Sequence, residues 1–185
     1  MRAPTPYSPV ALPVYENPKR VELKAVMLAG AALAMGAAVY LLVRGPESLH
    51  FSSVVGFPSY TFRLADYAPP YLLPFFGSLP SGAHAFAFSL LTAVVLGFEK
   101  TQIAVACLTW SLIGTAFEFL QLATSCPTGI FPQDQVPGQF FCNYIVGGVF
   151  DWLDVTAILV GAGLAYLVSR RLSNVGRFPV LPGRQ

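Results

Sequence analysis

Four long stretches of the chain are almost continuously apolar, and polar or proline-rich segments separate them. Residues 25–43 form the first, with no charged side chain. Residues 83–98, 103–122 and 152–168 follow, each with only a few polar positions. An α-helix of about 20 residues rises about 30 Å, which matches the hydrocarbon core of a bilayer. The pattern predicts an all-α membrane protein built as a bundle of four transmembrane helices.

The segments outside the four spans divide the chain into a membrane domain and two tails. Residues 1–24 contain five prolines and end in basic residues, which predicts an extended proline-rich tail. This tail has no apolar run typical of a signal-peptide core, so we expect no cleaved leader. The transmembrane domain then covers residues 25–169, and residues 170–185 form a second tail.

A segment between the first and second spans combines aromatic residues with prolines. In residues 67–76, tyrosines and phenylalanines are interrupted by three prolines. The prolines argue against a span, and aromatic side chains favour the headgroup region. We therefore expect an aromatic interfacial segment here. Spans two and three are joined only by a short turn around residues 99–101, which predicts an antiparallel helical hairpin.

Composition supports a membrane environment and excludes one class of partner. Charged residues make up 11% of the chain, where a soluble domain carries about 25%. Apolar residues make up 55%, and the mean hydropathy is +0.60. The net charge of +2 is small and the basic residues form no stripe, so we expect no nucleic-acid partner.

The placement of lysine and arginine predicts the orientation. With four spans, nine of the eleven lie on the side of both termini and of the turn near Lys100. Only Arg44 and Arg63 lie on the other side. Because cytoplasmic loops are enriched in Lys and Arg, we expect both termini in the cytoplasm.

The three cysteines fit this topology. Cys126 and Cys142 fall in the outer loop between spans three and four, which faces an oxidising compartment. A disulfide between them would close a loop of about 15 residues and stabilise the fold by about 3 kcal/mol. The alternative is two free thiols in an interfacial loop. The spacing fits neither a CxxC motif nor a zinc site, and Cys107 is expected to pack as a small apolar residue.

Five polar residues converge on the outer end of the predicted bundle. His84 begins span two, Glu118 and Gln121 end span three, and Asp151 and Asp154 begin span four. Residues three apart share a helical face, so each pair can point to one place. Carboxylates at membrane depth are candidate site residues because exposing them to lipid is costly. The alternative is that these are helix-end residues, with Asp151 as the N-cap of span four.

These residues resemble the motifs of the VanZ-like family of small polytopic membrane proteins. The segment Phe117-Glu118-Phe119-Leu120-Gln121 is similar to the Glu-x-x-Gln near the end of one family helix. The segment Phe150-Asp151-Trp152-Leu153-Asp154 resembles the Asp that opens the next. His84, followed by Phe86 and Phe88, matches a His at the start of an earlier helix. The resemblance covers residues 80–168.

The chain also departs from this family pattern. Pro80 and Ser81 occupy the positions of an Asp-Lys pair before the His, and Gly148 and Ile158 stand where an Arg and an Asn are expected. The basic half of the polar cluster is therefore missing, and the loop with both cysteines is longer. The resemblance implies a bacterial cytoplasmic membrane and, for some members, resistance to glycopeptide antibiotics.

Three functions are compatible with this pattern. The loss of charges and the small residues Gly30, Ala34 and Gly36 favour a non-catalytic subunit that packs in a larger membrane complex. The alternative for the small residues is that they pack within the protein's own bundle. The second is a cell-envelope protein acting at the outer leaflet. The third is a membrane enzyme that uses the His/Glu/Asp cluster, although no known catalytic motif occurs and we assign no catalytic residue, metal site or cofactor. The expected partners are the lipid bilayer and other membrane subunits.

Overall fold

A computed structural model describes residues 17–39, 42, 66–122, 142, 145 and 148–175, and within these ranges it contains helices and no strand. The four long helices are α1 (Pro18–Val39), α2 (Leu73–Leu96), α3 (Lys100–Leu120) and α4 (Trp152–Val175). A short 3-10 turn, Pro70–Leu72, leads directly into α2. All four helices are long and apolar enough to cross a membrane. The described residues therefore agree with the predicted fold to this extent: they are helical, and four of the helices are long and apolar enough to span a membrane.

Helix α1 begins well before the predicted span. Asn17 caps it, because the Lys19 N–H donates to Asn17 Oδ1 at 3.0 Å, and Pro18 follows as its first residue. Proline is favoured there because the first helical N–H has no partner within the helix. The charged residues after Pro18 therefore belong to the helix, which begins seven residues before the apolar run that starts at residue 25.

Helix α2 begins ten residues earlier than predicted, at Leu73 rather than at residue 83. The predicted span begins after the aromatic segment because its prolines were expected to interrupt a helix. Pro74 lies in the first turn, where its missing N–H costs nothing. Pro80 lies inside the helix and is tolerated there. The last part of the aromatic segment is therefore helical, and its interfacial location stays a prediction.

The connection between α2 and α3 confirms the predicted hairpin. Gly97 ends α2 with a left-handed backbone at a φ of +93°, and Phe98 follows with a φ of +59°. The Phe98 N–H donates back to the Ala93 carbonyl at 3.0 Å. Farther along the hairpin, Trp110 Nε1 of α3 donates to Thr92 Oγ1 of α2 at 2.9 Å. The turn therefore lies two residues earlier than predicted, and α2 and α3 are antiparallel neighbours.

Helix α2 is the central element, because it packs against each of the other three long helices. Its closest approach is to α4. A Cβ on Gly161 would collide with the Gly82 carbonyl oxygen, and a Cβ on Gly82 would lie 2.9 Å from the Ala157 carbonyl oxygen. Both glycines are therefore required where the two backbones meet.

The two faces of α1 differ. A Cβ on Gly36 would lie 3.5 Å from Ala83 Cβ, so Gly36 packs against α2. Gly30 and Ala34 point outward, and a Cβ on Gly30 would meet nothing within 4 Å. Of the three small residues, Gly36 therefore packs within the protein's own bundle, whereas Gly30 and Ala34 lie on a different face.

The four helices share one apolar core in the half of the bundle near the α2–α3 turn. It is made largely of alanines, with a few larger side chains: Ala25, Ala29, Ala87, Leu90, Ala93, Phe98, Ile103, Cys107, Ala162 and Ala165. Cys107 is a free, buried thiol within it, as the sequence suggested. Small side chains allow the helices to approach closely, so this core is compact.

We predict that Gly161→Ala lowers the free energy of unfolding in detergent by about 1–3 kcal/mol, because the added methyl group overpacks the α2–α4 contact. Gly163→Ala is the matched control, since a Cβ on Gly163 meets nothing within 4 Å. That variant should be neutral or more stable by up to about 1 kcal/mol, as alanine favours helices over glycine. Equal stabilities for the two variants would show that the close contact is not needed.

Candidate functional site at the acidic end of the bundle

The topology places the described lysines and arginines at one end of the bundle and Glu118, Asp151 and Asp154 at the other. We call the end formed by the start of α2, the end of α3 and the start of α4 the acidic end, because it holds Glu118, Asp151 and Asp154. The opposite, basic end is formed by the start of α1, the α2–α3 turn and the end of α4. Glu118, Gln121, Asp151 and Asp154 lie at this end. His84 does not begin its helix as predicted, because α2 starts eleven residues earlier, at Leu73, and His84 lies near its middle.

Asp154 is held by a contact between helices. Its side chain is buried, with 7% of its surface exposed. Ser81 of α2 donates its hydroxyl to Asp154 Oδ1 at 2.9 Å. The close approach at Gly82 brings α2 near enough for this short side chain to reach α4. A neutral hydroxyl thus bonds the carboxylate at the position where the family pattern led us to expect a lysine.

Asp151 acts as the N-cap of α4. Its Oδ1 accepts a hydrogen bond from the Leu153 N–H at 2.8 Å, and its carbonyl accepts from the Asp154 N–H at 3.1 Å. These bonds satisfy donors that every helix N-terminus leaves unpaired. Asp151 therefore has the structural role that the sequence offered as the alternative to a site residue.

Glu118 is buried at the same end, with 6% of its surface exposed. Its position along the bundle axis follows from a contact one turn away. Gly114 of α3 lies against Ile158 of α4, because a Cβ on Gly114 would lie 3.1 Å from Ile158 Cδ1. Because α3 and α4 run antiparallel, one further turn along α3 brings Glu118 to the level of Asp154. The carboxylate thus faces the protein and not the lipid.

Gln121 extends the polar end toward the segment that precedes α4. A Cβ on Gly148 would lie 2.7 Å from Gln121 Oε1, so the amide rests against the Gly148 backbone. Any side chain at position 148 would have to displace it. The glycine found in place of the expected arginine therefore provides the space that Gln121 occupies.

His84 lies on the seam between α2 and α3. Its ring stacks on Phe88 with centroids 5.7 Å apart, and Phe88 packs against Trp110 at 4.8 Å. The imidazole is half-buried. It belongs to an aromatic row that follows one face of α2, so its described contacts are with rings rather than with the carboxylates.

Three aromatic side chains cover the rim of the acidic end. Phe119 packs against Phe150 at 5.4 Å and meets Trp152 edge-on at 5.9 Å. Trp152 remains 65% exposed. Aromatic rings of this kind favour the membrane–water interface, so this rim fits the boundary of a bilayer.

Two of the predicted site residues, Asp151 and Asp154, make hydrogen bonds that join parts of the fold. Within the described part of the chain, no three His, Cys, Asp or Glu side chains come close enough together to hold a metal ion. The residue that sequence reasoning missed is Ser81, which was counted as a lost charge. The sequence signal that could have identified it is the position of the Ser81 hydroxyl directly before Gly82, a residue small enough to allow close contact between helices.

Comparison with known proteins neither supports nor contradicts the family assignment, which depends on the sequence motifs alone. No protein-family model, curated protein or solved structure matches this chain. The VanZ-like resemblance therefore stays a prediction from the residues quoted above.

We predict that Ser81→Ala destabilises the bundle by about 1–3 kcal/mol, because a buried carboxylate oxygen loses its donor. Ser81→Thr retains the hydroxyl and should lose less. Ser78→Ala is the matched control on the same helix, since the Ser78 hydroxyl donates only to the Pro74 carbonyl of its own helix, at 3.1 Å. Thermal unfolding in detergent measures all three. If Ser81→Ala and Ser78→Ala unfold at the same temperature, the interhelical bond does not hold α2 to α4.

Proposed function

We propose that this protein is a VanZ-like, non-catalytic accessory or structural subunit that packs in a larger membrane protein complex. The observation that carries the proposal is the outward face of α1. This face presents Gly30 and Ala34 one turn apart, flanked by Met27 and Met35, which are 65% and 48% exposed.

Small residues within a membrane helix serve close helix packing, because lipid tails gain nothing from a narrow groove. The chain uses them in this way internally, where Gly36 contacts α2 and Gly82 and Gly161 form the α2–α4 contact. The outward face of α1 repeats the pattern with no neighbour from the described residues. Methionine side chains adapt to irregular partner surfaces.

The outward face of α4 provides a contrast. Around the exposed Gly163, its outward residues are large and aliphatic: Leu159, Val160, Leu164 and Leu167. On α1 the exposed large residues lie mainly before Gly30, whereas the outward positions after it are mostly alanines. Large aliphatic side chains are what a lipid-facing helix requires. We therefore place the partner helix against α1 and the lipid against α4.

We predict that Gly30→Leu releases the protein from its assembly without unfolding it. The isolated chain has room for the new side chain, since nothing lies within 4 Å of a Cβ at this position. The measurement is the mass of the particle purified in mild detergent, with the unfolding temperature as a check on folding. Gly163→Leu, on the outward face of α4, is the matched control and should leave the assembly intact.

Two results would contradict the subunit proposal. One is a wild-type protein that purifies as a single chain with no partner. The other is an assembly that Gly30→Leu and Gly163→Leu leave equally intact.

A second candidate is a cell-envelope function at the outer leaflet. The observation that favours it is the burial of Glu118 and Asp154 at one level of the acidic end. Under this proposal Glu118→Gln would remove the envelope function, such as tolerance of a glycopeptide antibiotic, while the assembly stays intact. Under the subunit proposal, Gly30→Leu should impair the function of the protein more than Glu118→Gln does.

For the location, we propose the bacterial cytoplasmic membrane with both termini inside. The support is the sidedness of charge, because the described lysines and arginines lie at the basic end. That end would face the cytoplasm. The acidic end and the loop that contains both cysteines would then face outward.

We predict a disulfide between Cys126 and Cys142 on the outer side. Cys142 is buried, and Cys126 lies outside the described residues. Peptide mass analysis of unreduced protein should recover the two cysteines linked, whereas Cys107 should be alkylated after unfolding. Recovery of both loop cysteines as alkylated thiols would contradict the disulfide and weaken the proposed orientation.

A further inference from the structure

The basic end of the bundle carries a concentrated positive charge. Six basic residues of the described chain lie there, against the two acids Glu22 and Glu99: Lys19, Arg20, Lys24, Lys100, Arg170 and Arg171. Most of these side chains are exposed, but Arg170 is half-buried. Arg170 therefore differs from the rest of the cluster.

Arg170 is held in place by its own helix. Its Nη1 donates to the Tyr166 hydroxyl at 2.7 Å, and its guanidinium carbon lies 5.5 Å from the centre of the Tyr166 ring. Tyr166 in turn packs against the shared apolar core. The guanidinium is thus oriented by a rigid part of the bundle, which leaves little side-chain entropy to lose on binding.

The remaining donors of this guanidinium are only partly satisfied. Its Nε is buried and has no hydrogen-bond acceptor among the described residues. The neighbouring Ser169 hydroxyl is also buried without such a partner. A buried donor without an acceptor is costly, so an oxygen-rich anion beside Arg170 would relieve that cost.

The depth of Arg170 identifies the source of the anion. Trp152, at the aromatic rim, and Arg170 lie on the same helix about 27 Å apart along its axis, at about 1.5 Å per residue. This distance matches the thickness of the hydrocarbon core, about 30 Å. With Trp152 at one interface, Arg170 reaches the headgroup layer of the other, where phosphates are abundant.

We propose that Arg170, oriented by Tyr166, binds the phosphate of an anionic phospholipid in the leaflet at the basic end. The guanidinium provides paired N–H donors that match two phosphate oxygens. The surrounding lysines and arginines favour a lipid with net negative charge over a zwitterionic one. Arg171 adds to this field but is exposed and has no equivalent support.

The test is a lipid titration of the full chain in a non-ionic detergent, with the unfolding temperature as the readout. Phosphatidylglycerol should raise the unfolding temperature in a saturable way, whereas phosphatidylcholine and inorganic phosphate should not. Arg170→Gln should raise the half-maximal lipid concentration at least about tenfold, as expected when a charge-assisted pair of bonds is lost. Arg171→Gln, the matched control, removes the same charge and should change it much less.

Two further variants preserve the test if Arg170→Gln does not fold. Arg170→Lys keeps the charge but cannot form the paired bonds, and Tyr166→Phe removes only the orienting hydroxyl. Both should weaken the response to phosphatidylglycerol. The proposal is overturned if both respond as wild type, if Arg171→Gln weakens the response as much as Arg170→Gln, or if inorganic phosphate stabilises as well as the lipid.

Discussion

The close contact between the backbones of α2 and α4 is the constraint on which the described fold depends. Apolar side chains gain little by leaving lipid for one another, so packing and hydrogen bonds must hold the helices together. Gly82 and Gly161 provide the packing, because neither position has room for a side chain. The same approach allows the short Ser81 side chain to reach Asp154 across 73 residues of sequence. The glycines therefore determine the polar contact as well as the apolar one.

The departures from the VanZ-like pattern are related to one another in space. Ser81 bonds Asp154 with a neutral hydroxyl, and Gly148 leaves the volume that Gln121 fills. Ile158 packs at Gly114, in the contact between α3 and α4. A side chain at position 148 would need space that Gln121 uses. At two of the positions where the VanZ-like pattern has a base, this chain therefore has a small neutral residue that takes part in the packing or hydrogen bonding of the acidic end.

The helices could be predicted from the sequence because uncharged runs of this length have few alternatives in a small chain. The start of α2 could not, since whether Pro74 and Pro80 break a helix depends on their position in it. Helical periodicity does separate Gly30 and Ala34, one turn apart, from Gly36, which faces α2. The contact of Ser81 with Asp154 was beyond the sequence, because it depends on a distance between helices. The hydrogen bond between Arg170 and Tyr166 could not be predicted either. The two residues are one helical turn apart, and this spacing allows the contact without requiring it.

The depth of Asp154 in the bundle bears on the cost of burying its carboxylate. If the aromatic rim around Trp152 lies at one membrane interface, the position of α4 sets the depth of Asp154, and the glycine contact joins α2 to α4 at nearly the same level. Asp154 then lies about 3 Å from the level of Trp152 along the helix axis. A carboxylate near the interface costs less than one at the bilayer centre, where the cost is about 3 kcal/mol on insertion scales. The Ser81 hydroxyl and a position close to the headgroup layer both lower the cost of burying the Asp154 carboxylate at the acidic end.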